Sequence, residues 1–440
     1  MKRILNLVGG LLGLLVLIGL AVVLAMTFGG LQRAAEPASQ AFQSPIETPT
    51  QPPYPPPGTP TPPGPAATPT VVPTPVPPCT FAGQPAPVEP GPPFEAYQFS
   101  EPRVVLTHTS AIGIAGWLPD GQRLLITRLI PGQPREYIEI FNTQTGELQR
   151  YGERHSLPGK PVWLAAHQAV AFVDVGPDKQ VVLRISRGET ATVETPISDL
   201  TGSFLGVSPD GRQLVFFTQA SQDRPEVFDL AQPQRATLPA ALPLMRWSPY
   251  RISWHPQGHQ IAFYNETGFY LANLPLGRIC EVDLGFEESE ARYGKRWTFD
   301  VQWSPNGRYL AALTTAGNPP VHFIDLTLID TNTGELRRLD LGLQYLYAIT
   351  WAPNSHDLLV IGEKGTNESG LVLHGLYVVN ATTSDARQML ADYQFVSIGT
   401  WGGAWSPTGQ AIALACPVVA PEEQLMIEGR LCIITVGVRR

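Results

Sequence analysis

The stretch DVQWSPNGRYLAAL, residues 300–313, carries the pattern that decides the fold. An apolar run ends in a tryptophan, a Ser-Pro-Asn-Gly corner follows, and a second apolar run begins. Proline sets φ at the second position of a turn, asparagine tolerates the third position and bonds to nearby backbone, and glycine accepts a positive φ. The stretch therefore predicts two antiparallel strands joined by a tight corner.

The same pattern recurs along the chain. Five further copies are IAGWLPDGQRLLIT (114–127), FLGVSPDGRQLVFF (204–217), RISWHPQGHQIAFY (251–264), AITWAPNSHDLLVI (348–361) and GGAWSPTGQAIALA (402–415). A weaker copy, PVWLAAHQAVAFV (161–173), keeps the tryptophan and both apolar runs but lacks the corner. We call the equivalent residue before each corner the anchor; the anchors are Trp117, Trp163, Val207, Trp254, Trp303, Trp351 and Trp405, spaced by 46, 44, 47, 49, 48 and 54 residues. This period is typical of one four-stranded propeller blade, and the anchors are expected to pack between neighbouring blades.

A second motif supplies the rest of each blade. IFNTQTGELQR (140–150) and LIDTNTGELRR (328–338) nearly coincide, and NATTSDARQM (380–389) is a looser version, each indicating a third strand, a turn and a fourth strand. Together the two motifs resemble the TolB-type, WD-like β-propeller repeats over about residues 100–440. The resemblance implies a closed ring, most often with a binding or scaffolding role. An open β-sandwich is the competing fold, but a sandwich does not require a repeat of ~45 residues.

Closure of the ring can be judged from the two ends of the repeat region. After Trp405 the chain has room for strands near 411–416 and 430–437, one fewer than a blade needs. An orphan strand, PRVVLTH (102–108), precedes the first copy. We expect it to complete the last blade as the outermost strand, because this removes the exposed sheet edge. The expected fold is an all-β, monomeric, seven-bladed β-propeller over residues 96–440.

The N-terminal region predicts membrane attachment. Residues 4–31 form an uncharged run of 28 residues, which as a helix would be ~42 Å long and would more than cover a ~30 Å hydrocarbon core. We expect residues 1–33 to be an uncleaved single-pass anchor, since no Ala-x-Ala cleavage motif stands out; a secretory signal is the alternative. Lys2 and Arg3 precede the span and Arg33 alone follows it closely, so the N-terminus is expected in the cytoplasm and the remainder outside. No cysteine stands directly after the run to carry a lipid.

A proline-rich linker, residues 34–95, follows the anchor. Residues 45–78 include 16 prolines in 34 positions, a composition that predicts a disordered, extended polyproline II stalk. At ~3.1 Å per residue such a stalk could hold the propeller up to ~100 Å from the bilayer. The predicted localisation is therefore the cell membrane, with the propeller displayed outside the cytoplasm.

The four cysteines permit two disulfides in that compartment. Cys416 ends one apolar run and Cys432 opens the next, so neighbouring strands could bring their thiols together. Cys79 would then be left for Cys280, tying the end of the stalk to the domain. Buried free thiols at Cys416 and Cys432 are the alternative.

Composition and motifs restrict the function. The chain has 30 basic against 38 acidic side chains, which argues against a nucleic-acid partner. No G-x-S-x-G, H-E-x-x-H, phosphate-binding glycine loop or C-x-x-C pair occurs, which weakens an enzyme assignment. No cofactor and no metal are expected.

Three groups of residues could suggest chemistry, and each has a simpler interpretation. His255 and His259 straddle a corner without a third ligand and are expected to be surface turn residues. The acidic cluster of Glu287, Glu288 and Glu290 lacks calcium-loop spacing and is expected to be a solvated insertion. Two corner aspartates, Asp120 and Asp210, are expected to serve the turn, because other copies carry different residues there.

Ligand recognition is expected where the loops between blades converge on the channel. The candidate binding residues in those segments are Arg246, Trp247, Trp297, Phe299, Tyr345, Tyr347 and Trp401. Aromatic and arginine side chains suit recognition of peptides or sugars, although several of them could instead fill the gaps between blades. The glycosylation sequons at Asn265, Asn367 and Asn380 matter only in a glycosylating host.

The sequence thus predicts a non-catalytic binding or scaffolding module for a protein, peptide or glycan at the cell surface. The alternative is a propeller hydrolase or lyase acting on polysaccharide or peptide through residues of the channel loops. A sensor domain would require a membrane partner to carry its signal.

Overall fold

The computed structural model describes residues 76–80, 92–189, 194–232, 234–238, 241–243, 250–265, 268–284, 296–316, 323–339, 341–343, 345–366, 368, 372–391, 395–396, 402–420 and 425–439. They belong to one compact unit, Val76–Arg440. The predicted anchor and nearly all of the linker lie outside them. Within the described ranges, no helix has the length and apolar character needed to cross a bilayer.

Seven antiparallel sheets follow one another along the chain, which confirms the seven-bladed β-propeller. A 3-10 turn, Phe94–Ala96, and two strands, β1 (Tyr97–Phe99) and β2 (Arg103–His108), come before the first blade. Blades 1 to 3 consist of β3 (Ile112–Trp117), β4 (Arg123–Leu129), β5 (Arg135–Asn142) and β6 (Leu148–His155); β7 (Val162–Leu164), β8 (Ala169–Val175), β9 (Val181–Ser186) and β10 (Glu194–Leu200); and β11 (Gly206–Val207), β12 (Gln213–Phe216), β13 (Glu226–Asp229) and β14 (Gln234–Thr237). Blades 4 to 6 consist of β15 (Arg251–Trp254), β16 (Gln260–Asn265), β17 (Gly268–Asn273) and β18 (Arg278–Glu281); β19 (Arg296–Trp303), β20 (Tyr309–Ala316), β21 (Phe323–Asp330) and β22 (Leu336–Leu339); and β23 (Tyr345–Trp351), β24 (Asp357–Thr366), β25 (Val372–Asn380), β26 (Ala386–Met389) and β27 (Phe395–Val396).

Blade 7 is built from both ends of the propeller region. Its own strands are β28 (Gly403–Trp405), β29 (Ala411–Ala415), β30 (Val418–Ala420) and β31 (Leu425–Val438). One edge of β31 pairs with β29, and the other edge pairs with β2 from Arg103↔Ile433 to His108↔Gly429. The strand expected to close the ring thus lies along the outside of β31. β1 continues this edge with the pair Tyr97↔Val438, an additional strand that the repeat pattern does not predict.

The Ser-Pro-x-Gly corner is held by its serine. Ser304 donates a hydrogen bond of 2.7 Å to Asn306 and accepts one of 2.9 Å from the backbone amide of Tyr309, which closes the corner. Ser208 and Ser406 repeat this arrangement in blades 3 and 7. In blade 2, which lacks the corner motif, a 3-10 turn at Ala165–His167 makes the connection instead.

The anchors join neighbouring blades. From blade 3 through blade 7 to blade 1, the first strands of consecutive blades contact one another, which places them in the innermost layer of the ring. The indole of Trp303 donates to the carbonyl of Ser253 in blade 4 at 3.2 Å, and that of Trp351 donates to Gln302 in blade 5 at 3.0 Å. Trp117 makes the equivalent bond of 2.9 Å to Ala404, across the closure between blades 1 and 7.

Both disulfides join the pairs considered from the sequence. Cys416 and Cys432 have Cα atoms 6.0 Å apart within blade 7. Cys79 is bonded to Cys280, and the backbone amide of Cys79 also donates to Glu281 at 2.8 Å. Residues 76–80, which the sequence places in the linker, therefore extend blade 4 beyond β18, with Pro78 bridging Glu281 in parallel orientation.

Candidate binding site in the central channel

The two faces of the ring differ in their connections. Because adjacent strands are antiparallel, the corners after the first strands share one face with the turns between the third and fourth strands. The opposite face carries the connections between blades and the loops between the second and third strands. These connections vary in length and make the face a natural place for ligand entry.

The structure places only part of the predicted aromatic site. Arg246, Trp247 and Trp401 lie outside the described residues, whereas Trp297 and Phe299 lie in β19 and Tyr345 lies in β23. The remaining candidate, Tyr347, donates a hydrogen bond of 2.8 Å from its hydroxyl to Glu363, and its ring centroid is 5.0 Å from that of His374. Both contacts are made to the second and third strands of the same blade, β24 and β25.

Charged side chains in the first strands, or just before them in the case of Lys160, follow a single register. The third residue before each anchor is, in blade order, Ile114, Lys160, Phe204, Arg251, Asp300, Ala348 and Gly402. We call these seven positions the channel layer. In the six-residue segments that end at the anchors, Lys160, Arg251 and Asp300 are the only charged residues, and all three belong to this layer.

Asp300 is the acidic member of the channel layer. Its carboxylate accepts hydrogen bonds from the buried Tyr264 hydroxyl at 3.3 Å and from the Gln302 amide at 3.4 Å. Burial raises the pKa of Asp300, while the positive charges of Lys160 and Arg251 act in the opposite direction. The three charges are therefore close enough to influence one another.

Lys160 is the exposed cation of the layer. Although the side chain itself is accessible to solvent, the surrounding blades displace much of the water around its ammonium and lower its pKa; the charge of Asp300 opposes this effect and that of Arg251 adds to it. No hydrogen bond or ion pair engages the ammonium within the described part of the chain. Arg251 is more constrained, since its guanidinium lies 5.0 Å from the centroid of the Phe204 ring.

Local backbone features set these side chains in position. β19 has a β-bulge between Thr298 and Asp300, and bulges re-aim the side chains that follow them. Before Lys160, a Cβ on Gly159 would lie 1.6 Å from the carbonyl oxygen of Ser203. Only glycine therefore permits this close approach of blades 2 and 3, and Lys160 follows directly from it.

The corner histidines correct one expectation. His255 is not a surface turn residue: it is 4% exposed, packs its ring 4.5 Å from that of Trp303, and lies 3.3 Å from the Gly307 carbonyl through Nε2. It occupies the position that serine holds in three other corners, but its larger side chain contacts the next blade at Gly307. Burial, with a smaller effect from His259, lowers the pKa of His255 to about 4. Among the described residues, no group of three or more His, Cys, Asp or Glu could hold a metal ion.

The corner aspartates serve the turns, as expected. Asp210 accepts hydrogen bonds from the Ser208 hydroxyl at 2.6 Å and the Arg212 amide at 3.1 Å. Asp120 accepts from the amides of Gln122 and Arg123 at 2.9 and 3.0 Å. The acidic cluster of residues 287, 288 and 290 lies outside the described ranges.

The asparagines of two of the three sequons lie within the described residues. Asn265 is 4% exposed at the end of β16, so its amide is shielded from modification. The side-chain oxygen of Asn380 accepts the amides of Thr382 and Thr383 at 2.9 and 3.0 Å within a turn. The third sequon, at Asn367, lies outside the described ranges.

Comparisons with known proteins find similar solved structures but no matching family. No family model and no curated protein matches the chain. An oligogalacturonate lyase from Vibrio parahaemolyticus is 12% identical with a TM-score of 0.50, over 77% of this chain and 97% of that one. The hydrazine synthase of Kuenenia stuttgartiensis is 13% identical with a TM-score of 0.44, over 69% and 91% of the two chains. TolB from Acinetobacter baumannii is 12% identical with a TM-score of 0.38, over 68% and 76%. At these identities the similarity concerns the fold alone.

Proposed function

We propose that this chain is a non-catalytic binding module, anchored in a membrane by its N-terminal segment and displayed outside the cytoplasm. Its ligand, the exposed end of a protein, peptide or glycan, enters the central channel from the face that carries the variable loops. The two disulfides support this location, because such bonds persist in oxidising compartments.

Lys160 is the observation on which the binding proposal depends. Its ammonium is exposed in the channel layer and has no hydrogen-bond or ion-pair partner within the described ranges, although the surrounding protein lowers its pKa. Loss of water around this ammonium is unfavourable, and a further opposite charge besides that of Asp300 reduces the cost. A ligand group that supplies this charge is therefore bound more strongly in the channel than at the outer surface.

Asp300 supports a second candidate function, a hydrolase or lyase acting on polysaccharide or peptide. Burial raises the pKa of this carboxyl, and the Tyr264 hydroxyl and the charge of Lys160 lie beside it. A carboxyl with a raised pKa, set among polar groups in a channel, is suited to general acid–base catalysis. In this alternative Asp300 transfers the proton.

One experiment separates the two functions. The full chain, purified in detergent, is titrated calorimetrically against panels of glycans and peptides, and the same mixtures are analysed for products. A binding module binds without turnover, loses affinity in Lys160→Met, and keeps it in the control Lys364→Met, which removes an exposed lysine from the outer part of blade 6. Turnover that disappears in Asp300→Asn would instead establish the enzyme. A complete panel with neither binding nor turnover would reject both.

Display outside the cytoplasm has its own test. The full chain is expressed in a Gram-negative host, and protease is added to intact spheroplasts and to lysed cells. Cleavage of the propeller in intact spheroplasts is the expected result. Protection until lysis would place the propeller in the cytoplasm.

A further inference from the structure

The charges of the channel layer indicate the class of ligand, an inference that rests on the binding function proposed above. We propose that the channel binds the carboxylate of a sugar acid, such as a uronic acid residue at the end of an oligosaccharide, between Lys160 and Arg251. Neighbouring groups on Asp300 and Gln302 bind the hydroxyls of the same ring.

The two cations suit a carboxylate. Lys160 and Arg251 come from blades 2 and 4, and Phe204 of blade 3 stands between them in the ring order. The Phe204 ring lies 5.0 Å from the guanidinium, which restricts where the fork of Arg251 can point. A planar guanidinium binds both oxygens of a carboxylate, and an ammonium adds a further charge-assisted bond.

The charge balance favours one carboxylate over a polyanion. The channel layer contains two cations and one carboxylate, whereas the whole chain has a formal net charge of −8. A polyanion would meet repulsion from the remainder of the surface. A single carboxylate matches the one excess positive charge of the layer.

The neighbours of the cations favour a sugar. Asp300 accepts hydrogen bonds, and the Gln302 amide both donates and accepts them, so hydroxyls find partners beside the cationic pair. The layer positions of blades 1 and 6, Ile114 and Ala348, are buried in the apolar core, so the polar groups available to a ligand come from blades 2, 4 and 5. A sugar acid carries its carboxylate and hydroxyls on one ring, which matches this combination.

The test compares acids with their neutral counterparts. The full chain in detergent is titrated with trimers of glucuronate, galacturonate, mannuronate and guluronate, and with the carboxyl-reduced form of each. At least one uronate is expected to bind about tenfold to a hundredfold more tightly than its reduced form, the effect of one or two charge-assisted hydrogen bonds. Tri-alanine with a free and with an amidated C-terminus provides the peptide comparison.

Variants assign the effect to the channel. Lys160→Met retains the aliphatic stem and is expected to remove the preference for the acid, whereas Lys160→Arg retains it. Lys364→Met, outside the channel, is expected to bind like the unmodified chain. The thermal unfolding of all three variants is measured in parallel, because an exposed side chain can be replaced without loss of the fold.

The possible outcomes lead to different conclusions. Equal binding of acid and reduced sugars would overturn this inference and leave the binding function standing. A Lys160-dependent preference for the free peptide terminus over every uronate would assign the carboxylate to a peptide and overturn the sugar class. A uronate preference that persists in Lys160→Met would place the carboxylate elsewhere. Failure of every glycan and peptide to bind would overturn the inference together with the proposed function.

Discussion

Tyr97, in the first strand of the closing segment, donates a hydrogen bond of 2.5 Å from its hydroxyl to the carboxylate of Asp357 in blade 6. Asp357 is 2% exposed and also accepts a bond of 2.7 Å from the amide of Asn354. β1 pairs with β31 in blade 7, so the tyrosine side chain reaches from one blade to the next. The Tyr97–Asp357 hydrogen bond thus links blades 6 and 7 and reinforces the ring closure that strand pairing in blade 7 provides.

Removal of this hydroxyl is expected to destabilise the ring. Tyr97→Phe should lower the free energy of unfolding by ~1–3 kcal/mol, since a buried acceptor loses one hydrogen bond. Thermal unfolding of the full chain measures the change. The matched control is Tyr137→Phe, because the Tyr137 hydroxyl makes no hydrogen bond within the described ranges while its ring contacts Arg150. Equal effects of the two substitutions would contradict the importance of the Tyr97 bond.

The indole of Trp117 offers a second test of closure. Trp117→Phe removes the hydrogen bond to Ala404 together with part of the ring volume. Trp163→Phe is the matched control, because it removes the same atoms from another anchor. The Trp163 ring packs edge-on against Tyr151, and its indole N–H makes no hydrogen bond within the described part of the chain. We expect the Trp117 variant to be less stable than the Trp163 variant by ~1–2 kcal/mol, measured by chemical denaturation. A larger loss in the Trp163 variant would show that packing outweighs this bond.

His255 gives the fold a dependence on pH. Burial lowers the pKa of its imidazole from 6.5 to about 4, so the unfolded chain binds a proton at pH values where the folded chain does not. Stability is expected to fall as the pH drops from about 6.5 to 4, by up to ~1.4 kcal/mol per pH unit from this residue. His374, whose pKa burial also lowers to about 4, adds a second contribution of the same sign.

The contribution of His255 can be isolated at its corner. His255→Ser introduces the residue found in blades 3, 5 and 7, and it should reduce the slope of stability against pH between 6.5 and 4.5 by up to ~1.4 kcal/mol per unit. Ser304→Ala perturbs an equivalent corner without removing a titratable group. The slope of stability against pH in this variant should therefore match that of the unmodified chain. An unchanged slope in the His255 variant would contradict the assignment.

The disulfide of blade 7 should contribute measurably to stability. It closes a loop with a sequence separation of 16, for which chain-entropy arguments give ~3 kcal/mol. The double substitution Cys416→Ser with Cys432→Ser should lower the free energy of unfolding by ~2–4 kcal/mol. Peptide mapping without reduction checks the connectivity first: peptides linked as Cys79–Cys280 and Cys416–Cys432 are expected, and any other pairing would refute the arrangement.

The ring could be predicted because its determinants are local and repeated. Ser304, Asn306 and Gly307 form their corner with near neighbours, so the corner motif reveals a hairpin at each occurrence. The spacing of the anchors then gives the number of blades. By contrast, β1 adds only three residues, whose pairing with residues 436–438 depends on contacts between the two ends of the propeller region.

The candidate site was harder to predict because it depends on register between blades. Lys160, Arg251 and Asp300 are far apart in sequence, and they come together only when every blade is aligned at its anchor. The sequence alone permits that alignment. In it, the charged residues near the anchors all fall three positions before the anchor, and this shared position is the sequence signal for the site. Aromatic residues one position earlier, Phe299 and Tyr347, match the composition of a binding surface more closely and therefore draw the sequence-based prediction away from the charged layer. The burial of His255 had no comparable signal, because it depends on the neighbouring blade approaching at Gly307.

The bond between Cys79 and Cys280 determines how the domain would bear a mechanical load. Tension that travels along the chain from before Val76 reaches Cys79 ahead of β1 and β2. There the Cys79–Cys280 disulfide would transmit the force to β18. The pairs that β1 and β2 make with β31 would carry no load. A pull on the chain before Val76 would therefore load blade 4 and not the strand pairs that close the ring.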